Sequence, residues 1–344
     1  MSKYYLNISA LLLVILISGC STVSYETIYP TLIDGKYDSE FPYKSTSEEL
    51  KKISETIQRI NTTAFYKIYV FPDEENISVE DLKNLHPSQK AERELIADNS
   101  TSGTGIVVYS ENGNVALITC AHTLTFQDTI YAFRINDDGT HSQYLESVLI
   151  KDKQVIYVAG FPEGSQLDIL AINNEYDLAL IGKNYGSQQR VFYPVFKYPM
   201  GNAKEVEWGT FVYLLGYPVN YKMITKAIVS SPKKEGDGSF FVDAVINPGF
   251  SGGPVLAIRD GVPNFELIGI VQWVPEEEES LVYPQKLKNH SAYNPVVPYK
   301  GDLFVKKHKS IRYGIAKVIP VENILNFIHS NKTKLNKKNF HIFE

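Results

Sequence analysis

The sequence predicts a mostly-β fold of short antiparallel strands, and three observations carry that prediction. Tyrosine (23) and phenylalanine (17) are plentiful and fall in short β-branched runs, residue types that suit a half-buried pleated surface. From Gly103 onward such runs alternate with turn residues, with no helical pattern between them, which points to a barrel or sandwich rather than to βα units. Asn112-Gly113, between the first two runs, is a hairpin signal, because a type I′ turn needs positive φ at both central positions. With 344 residues, 44% apolar and 21% charged, the chain can bury a sizeable core. A formal net charge of -5 gives no basic surface for nucleic acid and no acidic tail for a cationic partner.

The chain opens with Lys3, an apolar core centred on Leu11 to Ile17, and then Ile17-Ser18-Gly19-Cys20. This is shorter than the roughly 20 apolar residues that span a bilayer, and it suits a signal peptide. Its ending resembles the bacterial lipobox, in which a cysteine is lipidated and becomes the mature N-terminus. Residues 1–19 are thus expected to be a lipoprotein signal peptide, with Cys20 as the palmitate-bearing anchor that holds the body on a membrane of the cell envelope, outside the cytoplasm. An ordinary signal peptide with a cysteine at its cleavage site is the alternative. Cys120 is the one other cysteine, so modification of Cys20 leaves no intrachain disulfide, and its apolar surroundings suit a buried small hydrophobe better than a nucleophile.

Residues 20–46 mix Tyr, Pro, Ser, Thr and Asp without periodicity and read as a tether. An extension over 47–98 follows. Ser45 to Ile60 carries Leu50, Ile53, Ile57 and Ile60 at helical spacing, with Ser45 and Glu48 placed as a capping box. Thr63 to Phe71 reads as a strand, and Ser78 to Ala97 as a second helix interrupted near Pro87. Short strands are expected over Gly105 to Tyr109, Val115 to Thr119, Thr129 to Ile135, Val155 to Val158, Leu178 to Ile181 and Phe211 to Leu215. These belong to a main domain spanning 99–330. Residues 275 to 309, with Glu276 to Glu279 and several prolines, read as a long exposed loop. A strand around Tyr313 to Ile319 then leads into a helix with Val321, Ile324, Leu325 and Ile328 on one face. Residues 331–344 read as a frayed, lysine-rich tail.

The densest chemical signal is Asp243-Ala-Val-Ile-Asn-Pro-Gly-Phe-Ser-Gly-Gly-Pro254, centred on Ser251. A serine hydroxyl attacks only when a base takes its proton, and the oxyanion that forms needs backbone N–H groups aimed at it. Glycines around Ser251 permit such a turn, and Gly249 can adopt a conformation that points its N–H toward the same spot as that of Ser251. Leu117-Ile-Thr-Cys-Ala-His122 offers a base at the end of an apolar strand, although a lone histidine there also fits a core or edge residue. Glu175-Tyr-Asp-Leu-Ala-Leu-Ile181 offers a carboxylate, since a buried Asp177 needs a partner such as an imidazolium. A turn aspartate after Asn173-Asn174 fits the same residues.

Together these segments resemble the trypsin-like serine peptidases, specifically their bacterial HtrA/DegP-type branch, in the chain order His, Asp, Ser. The resemblance includes Ser102-Gly-Thr-Gly-Ile106, Trp208-Gly to Leu215-Gly-Tyr-Pro218, Ala227-Ile-Val-Ser230 and Tyr313-Gly-Ile-Ala-Lys-Val-Ile-Pro320. It implies two six-stranded antiparallel β-barrels with the active site between them. By this resemblance His122 is the general base, Asp177 holds its tautomer, Ser251 is the acylating nucleophile, and Gly249 and Ser251 form the oxyanion hole. Asp168 competes with Asp177 but lacks the Leu-Ala-Leu run that follows it. Phe250 replaces the small polar residue usual before the serine, which raises a latent enzyme or a silent binding scaffold as the alternative. Too few residues follow the peptidase region for the PDZ domain common in that branch. Val245, six positions before Ser251, stands where trypsin carries an acid and implies an apolar P1 preference.

The expected partners are therefore a protein or peptide substrate and a membrane, with no nucleic acid. Gly249-Phe-Ser-Gly-Gly253 also fits the elbow of α/β-hydrolases, but Gly252-Gly253-Pro254 and a β-like run follow it where an elbow needs a helix, so an esterase is disfavoured. No His or Cys pairs stand at ligand spacing and no glycine-rich phosphate loop opens a helix, so no metal or cofactor is expected.

Overall fold

A computed structural model describes residues 33–136, 140–162, 166–186, 192–232, 236–273, 276–284, 296, 298, 303–311 and 314–342. The signal peptide reading and Cys20 lie outside them. The chain has the trypsin-like fold, with two β-structures side by side. The N-terminal one holds β1 (Ile57–Val70), β2 (Arg93–Glu111), β3 (Asn114–Cys120), β4 (Thr129–Ile135), β5 (His141–Val158), β6 (Asp168–Asn173) and β7 (Leu178–Asn184). Its strand order is β4-β5-β1-β2-β3-β7-β6. The C-terminal one holds β8 (Phe211–Gly216), β9 (Met223–Ser231), β10 (Phe240–Asp243), β11 (Pro254–Ile258) and β12 (Phe265–Trp273). Its sixth strand, β15 (Ala316–Pro320), returns after the hairpin of β13 (Glu276–Pro284) and β14 (Leu303–Ile311). The C-terminal strands close in the cyclic order β10-β15-β12-β11-β8-β9.

The second barrel thus has the six strands expected, but the first is a seven-stranded sheet that stays open. Three of its strands run well past the others: β1 pairs β2 in unbroken antiparallel register from Ile57↔Ile106 to Val70↔Arg93, and β5 follows β1 to Val70↔Ser147 with one bulge. The overhang carries a satellite core of Tyr69, Phe71, Ile77, Leu145 and Val148. Residues 72–92 fold back over it as short 3-10 turns, with Leu145 N–H donating to the Ile77 carbonyl at 2.7 Å. The second helix expected over Ser78 to Ala97 is therefore absent, because its apolar residues (Val79, Leu82, Ala91) each reach the sheet from a separate turn. The hairpin at Asn112-Gly113 is present, with φ of 51° and 77°.

The N-terminal helix α1 (Ser47–Glu55) is shorter than the periodicity suggested. Leu50 and Ile53 face inward from it, whereas Ile57 and Ile60 bury their side chains from β1, where a helical and a strand pattern coincide. Thr46, not Ser45, is the N-cap, and no side chain caps the helix. Residues 33–46 do not hang free as a tether. Asp38 N–H donates to Ile258 O at 2.9 Å and its carbonyl accepts from Phe211 N–H at 2.8 Å, so this strap bridges β11 and β8. Tyr37 donates its hydroxyl to Glu266 at 2.7 Å, and the Arg259 guanidinium sits 4.1 Å from its ring centre.

Two C-terminal expectations also change. The loop expected over 275 to 309 contains the β13/β14 ladder, in register from Glu276↔Ile311 to Pro284↔Leu303. Helix α2 (Val321–Asn336) runs past the tail boundary, and Leu335, Phe340 and Ile342 join the main core, Phe340 against Tyr109 at 6.1 Å between ring centres. Apolar residues interleaved with the lysines dock the tail. Among the described residues no helix is long and apolar enough to cross a membrane.

Candidate active site

β3 ends at Cys120 and passes into a single 3-10 turn, Ala121–Thr123, that lifts His122 out of the sheet. Its paired neighbour β7 begins at Leu178, which puts Asp177 directly beside that turn. Asp177 has a left-handed backbone (φ 56°), rare for a residue with a Cβ, and three bonds hold it there. Its carbonyl accepts from Ala121 N–H at 3.0 Å and its Oδ1 from His122 N–H at 2.8 Å. Its Oδ2 lies 2.7 Å from His122 Nδ1. The carboxylate is mostly covered (13% exposed) while the imidazole is open (42%). With Nδ1–H given to Asp177, Nε2 is left as the acceptor facing outward. Asp168, the competing carboxylate, is exposed at the start of β6 and has no contact with His122 among the described residues.

Ser251 stands on the opposite barrel, in the turn before β11, and two buried threonines of the N-terminal sheet seat that turn. Thr104 N–H donates to Ser251 O at 2.8 Å, and Thr104 Oγ1 donates to Gly249 O at 2.7 Å while accepting from Tyr217 N–H at 3.0 Å. Thr119 Oγ1 donates to Thr104 O at 2.8 Å. Gly249 has φ of +109°, and a Cβ there would run into the Tyr217 carbonyl. With the carbonyls of Gly249 and Ser251 turned inward, neither residue's N–H has a protein acceptor among the described residues. Two free donors thus stand beside the serine, as an oxyanion requires. No hydrogen bond joins Ser251 Oγ to His122 in this state.

Phe250 is not on the substrate side. It is 2% exposed and lies over Gly216 at the end of β8, where a Cβ would come within 2.6 Å of its ring. The turn is thus fixed by an apolar plug. Val245 is 72% exposed and forms no buried pocket floor, so the apolar P1 pocket expected from it is not formed there. Sequence reasoning missed Thr104 and Thr119 as structural members of this site, and singled out Phe250 without showing that it faces inward. The signal lay in Ser102-Gly-Thr-Gly, read as a strand only.

Cys120 is wholly buried, donates to Val271 O at 3.2 Å, and burial pushes its thiol well above the ordinary cysteine range. Its sulfur, the His122 imidazole and the Asp177 carboxylate place donor atoms within 4.8 Å of one another. As a metal set they are poorly suited: the thiol is held protonated and both Asp177 oxygens are taken by His122.

Three solved structures are similar in outline. The HtrA-type protease AlgW with a decapeptide aligns at TM-score 0.46 and 16% identity, over 84% of this chain and 67% of that one. The same protease with a tripeptide gives 0.43 and 16%, over 84% and 64%. A serine endoprotease from Yersinia pestis gives 0.40 and 15%, over 85% and 67%. None of the curated proteins compared matches this chain. The family model for the trypsin-like peptidase domain matches residues 103–270, the stretch that runs from the Thr104 clamp through His122, Asp177 and Ser251 to β12. Residues 103–270 of this trypsin-like fold are thus similar to the trypsin-like peptidase domain, a match that supports a serine peptidase.

Proposed function

We propose that this protein is a serine endopeptidase working through His122, Asp177 and Ser251, secreted and held to a membrane of the cell envelope by a lipid on Cys20. The observation that carries the catalytic part is the pairing of an Asp177-anchored imidazole with a serine turn whose two N–H groups are unengaged. In this reading His122 Nε2 takes the Ser251 hydroxyl proton as Oγ attacks the peptide carbonyl. The oxyanion is received by the N–H groups of Gly249 and Ser251. His122 then gives the proton to the leaving amine, and water, activated the same way, releases the acyl group. Asp177 holds the Nδ1–H tautomer throughout.

The direct test treats the full-length protein and its Ser251→Ala variant with a fluorophosphonate probe and maps the modified peptide. Labelling at Ser251 that disappears in the variant is expected. A folded protein that takes no label sinks the enzymatic reading and favours the second one, a latent or binding form, which rests on the unmade bond between Ser251 Oγ and His122. The anchor is tested separately: palmitate incorporation lost in Cys20→Ala, with the protein released from membranes, is expected, and unchanged membrane retention would refute it.

A further inference from the structure

The strap of residues 33–46 joins the C-terminal barrel at the end away from Ser251, and large apolar side chains stand exposed around it. Its two Asp38 backbone bonds reach Ile258, the last residue of β11, and Phe211, the first of β8. The Ser251 turn sits at the other ends of the same strands, before Pro254 and over Gly216. The six residues of β8 put about 17 Å between the two ends. On the strap side Ile33 is 66% exposed, Phe41 72% and Trp208 70%. They share one surface: the Phe41 ring centre lies 5.1 Å from that of Phe211, and Lys36 Nζ reaches Glu207, next to Trp208, at 3.6 Å. Trp208 is held out rather than loose. Its turn is tied by Thr210 N–H to Glu207 O at 3.2 Å, Glu207 N–H to Thr210 Oγ1 at 3.0 Å and Gly209 N–H to Val229 O at 2.9 Å. A single exposed apolar residue needs no explanation, whereas an aromatic group displayed with two others beside the entry of the chain marks a contact surface.

We propose that this face rests in the headgroup layer of the bilayer that holds the Cys20 lipid, with Ile33, Phe41 and Trp208 dipping into it and the Ser251 turn at the far end of the barrel. The inference rests on the lipid-anchor reading and adds an orientation to it. Chain length and side-chain chemistry select a lipid surface as the occupant. Only residues 21–32 separate Ile33 from Cys20, about 45 Å at full stretch and about 20 Å as a flexible coil, so the strap is the part of the described body tied closest to the anchor. An indole ring is apolar with one polar edge and favours the boundary between acyl chains and water. Lysines (Lys36, Lys44) and acids (Asp34, Glu40, Glu207) are mixed on this stretch, so the attraction comes from the apolar side chains and not from lipid charge. Val219 and Tyr221, beside Gly249 at the serine end, are comparably exposed but stand at the end of β8 away from the strap.

The chain has two tryptophans, so Trp273→Phe in the full-length protein leaves Trp208 as the sole indole. This protein is returned from detergent to vesicles of phosphatidylethanolamine and phosphatidylglycerol, with or without bromine on the acyl chains. Brominated vesicles are expected to quench Trp208 emission by about half. Protein that floats with the vesicles but is not quenched overturns the proposal and leaves the anchor standing. Adding Ile33→Ser and Phe41→Ser should cut the quenching at least about 3-fold with flotation kept, and undiminished quenching overturns the face. Ile33→Ser alone, at an exposed position, serves if the double variant fails to fold, and should give part of the same loss. Tyr221→Ser should change nothing, and a loss of quenching there puts the serine end on the lipid and overturns the orientation. The anchor is read apart with Cys20→Ala, which should be quenched only at high vesicle concentration, the behaviour of a weak contact acting without its lipid. A chain that carries no palmitate yet floats and is quenched removes the anchor reading and keeps the face. One that neither floats nor is quenched at any vesicle concentration overturns both.

Discussion

The two halves of the molecule solve the problem of strand edges in opposite ways, and the candidate site lies where the solutions meet. The C-terminal barrel closes on itself, so β8 and β11 are paired on both sides and offer a rigid seat for the Ser251 turn. The N-terminal sheet stays open, carries His122 on a turn at the end of β3, and leaves one edge of β2 without a strand from Arg93 to Gly105. Closed pairing is concentrated under the candidate serine turn, and free backbone along the open edge of β2. Thr104 joins them: it belongs to the open sheet but bonds the carbonyls of the closed barrel's turn.

The sharpest way to break this comparison is to remove either half of the reacting pair. Ser251→Ala or His122→Ala is expected to lower kcat/KM on a casein peptide by at least about 10⁴-fold, with folding retained by circular dichroism. Activity of His122→Ala near the parent level would mean that the barrel with the serine works alone. Next in size is Phe250→Ala, which empties a buried aromatic site over Gly216. A loss of about 3–5 kcal/mol in urea unfolding is expected, and a loss under 1 kcal/mol would show that the plug does not hold the turn.

Thr104→Val strips the hydroxyl and keeps the shape, leaving Gly249 O and Tyr217 N–H only the long 3.4 Å bond to each other. It should cost about 1–3 kcal/mol of stability. It should also lower kcat about 10- to 100-fold with KM little changed, and Thr104→Ser should restore both. A purely structural threonine would lower the melting point and leave the kcat of the folded fraction alone.

The smallest effect concerns the strap. Burial, ahead of the opposing Gly261 N–H bond, raises the Asp38 carboxyl to about 6. A carboxyl raised on folding favours the folded state when protonated, so its contribution is best below about pH 4 and is lost as pH climbs through 6. Asp38→Asn should therefore flatten the stability profile between those limits and raise stability at pH 7.5 by about 1 kcal/mol. An unchanged profile in thermal melts would place the strap's pH response on another acid.

The candidate site was legible in the sequence to the extent that His122 and Asp177 border apolar runs. Leu117 to Ala121 had to be a strand, so His122 had to stand at its end, and Leu178 to Ile181 did the same for Asp177. Ser251 was marked by flanking glycines, two of which have positive φ: Gly249 at 109° and Gly252 at 85°. The supports were not legible, because a threonine hydroxyl or a phenylalanine ring carries no sign of which carbonyl or glycine it will meet across the cleft. The helix expected over Ser78 to Ala97 failed for a related reason: its apolar residues had a sheet overhang to cover, and tertiary burial outweighed local periodicity.

The sequence by itself determined the strand-rich class, the hairpin at Asn112-Gly113 and the strands that carry the candidate His122 and Asp177 at their ends. These follow from side-chain alternation, turn chemistry and composition, which act over a few neighbouring residues. Only the tertiary structure decided that the first sheet stays open, that residues 33–46 and 335–342 dock on the core, and that Phe250 faces inward. Each depends on a surface assembled from segments far apart in the chain, which has no shape until the other segments have folded.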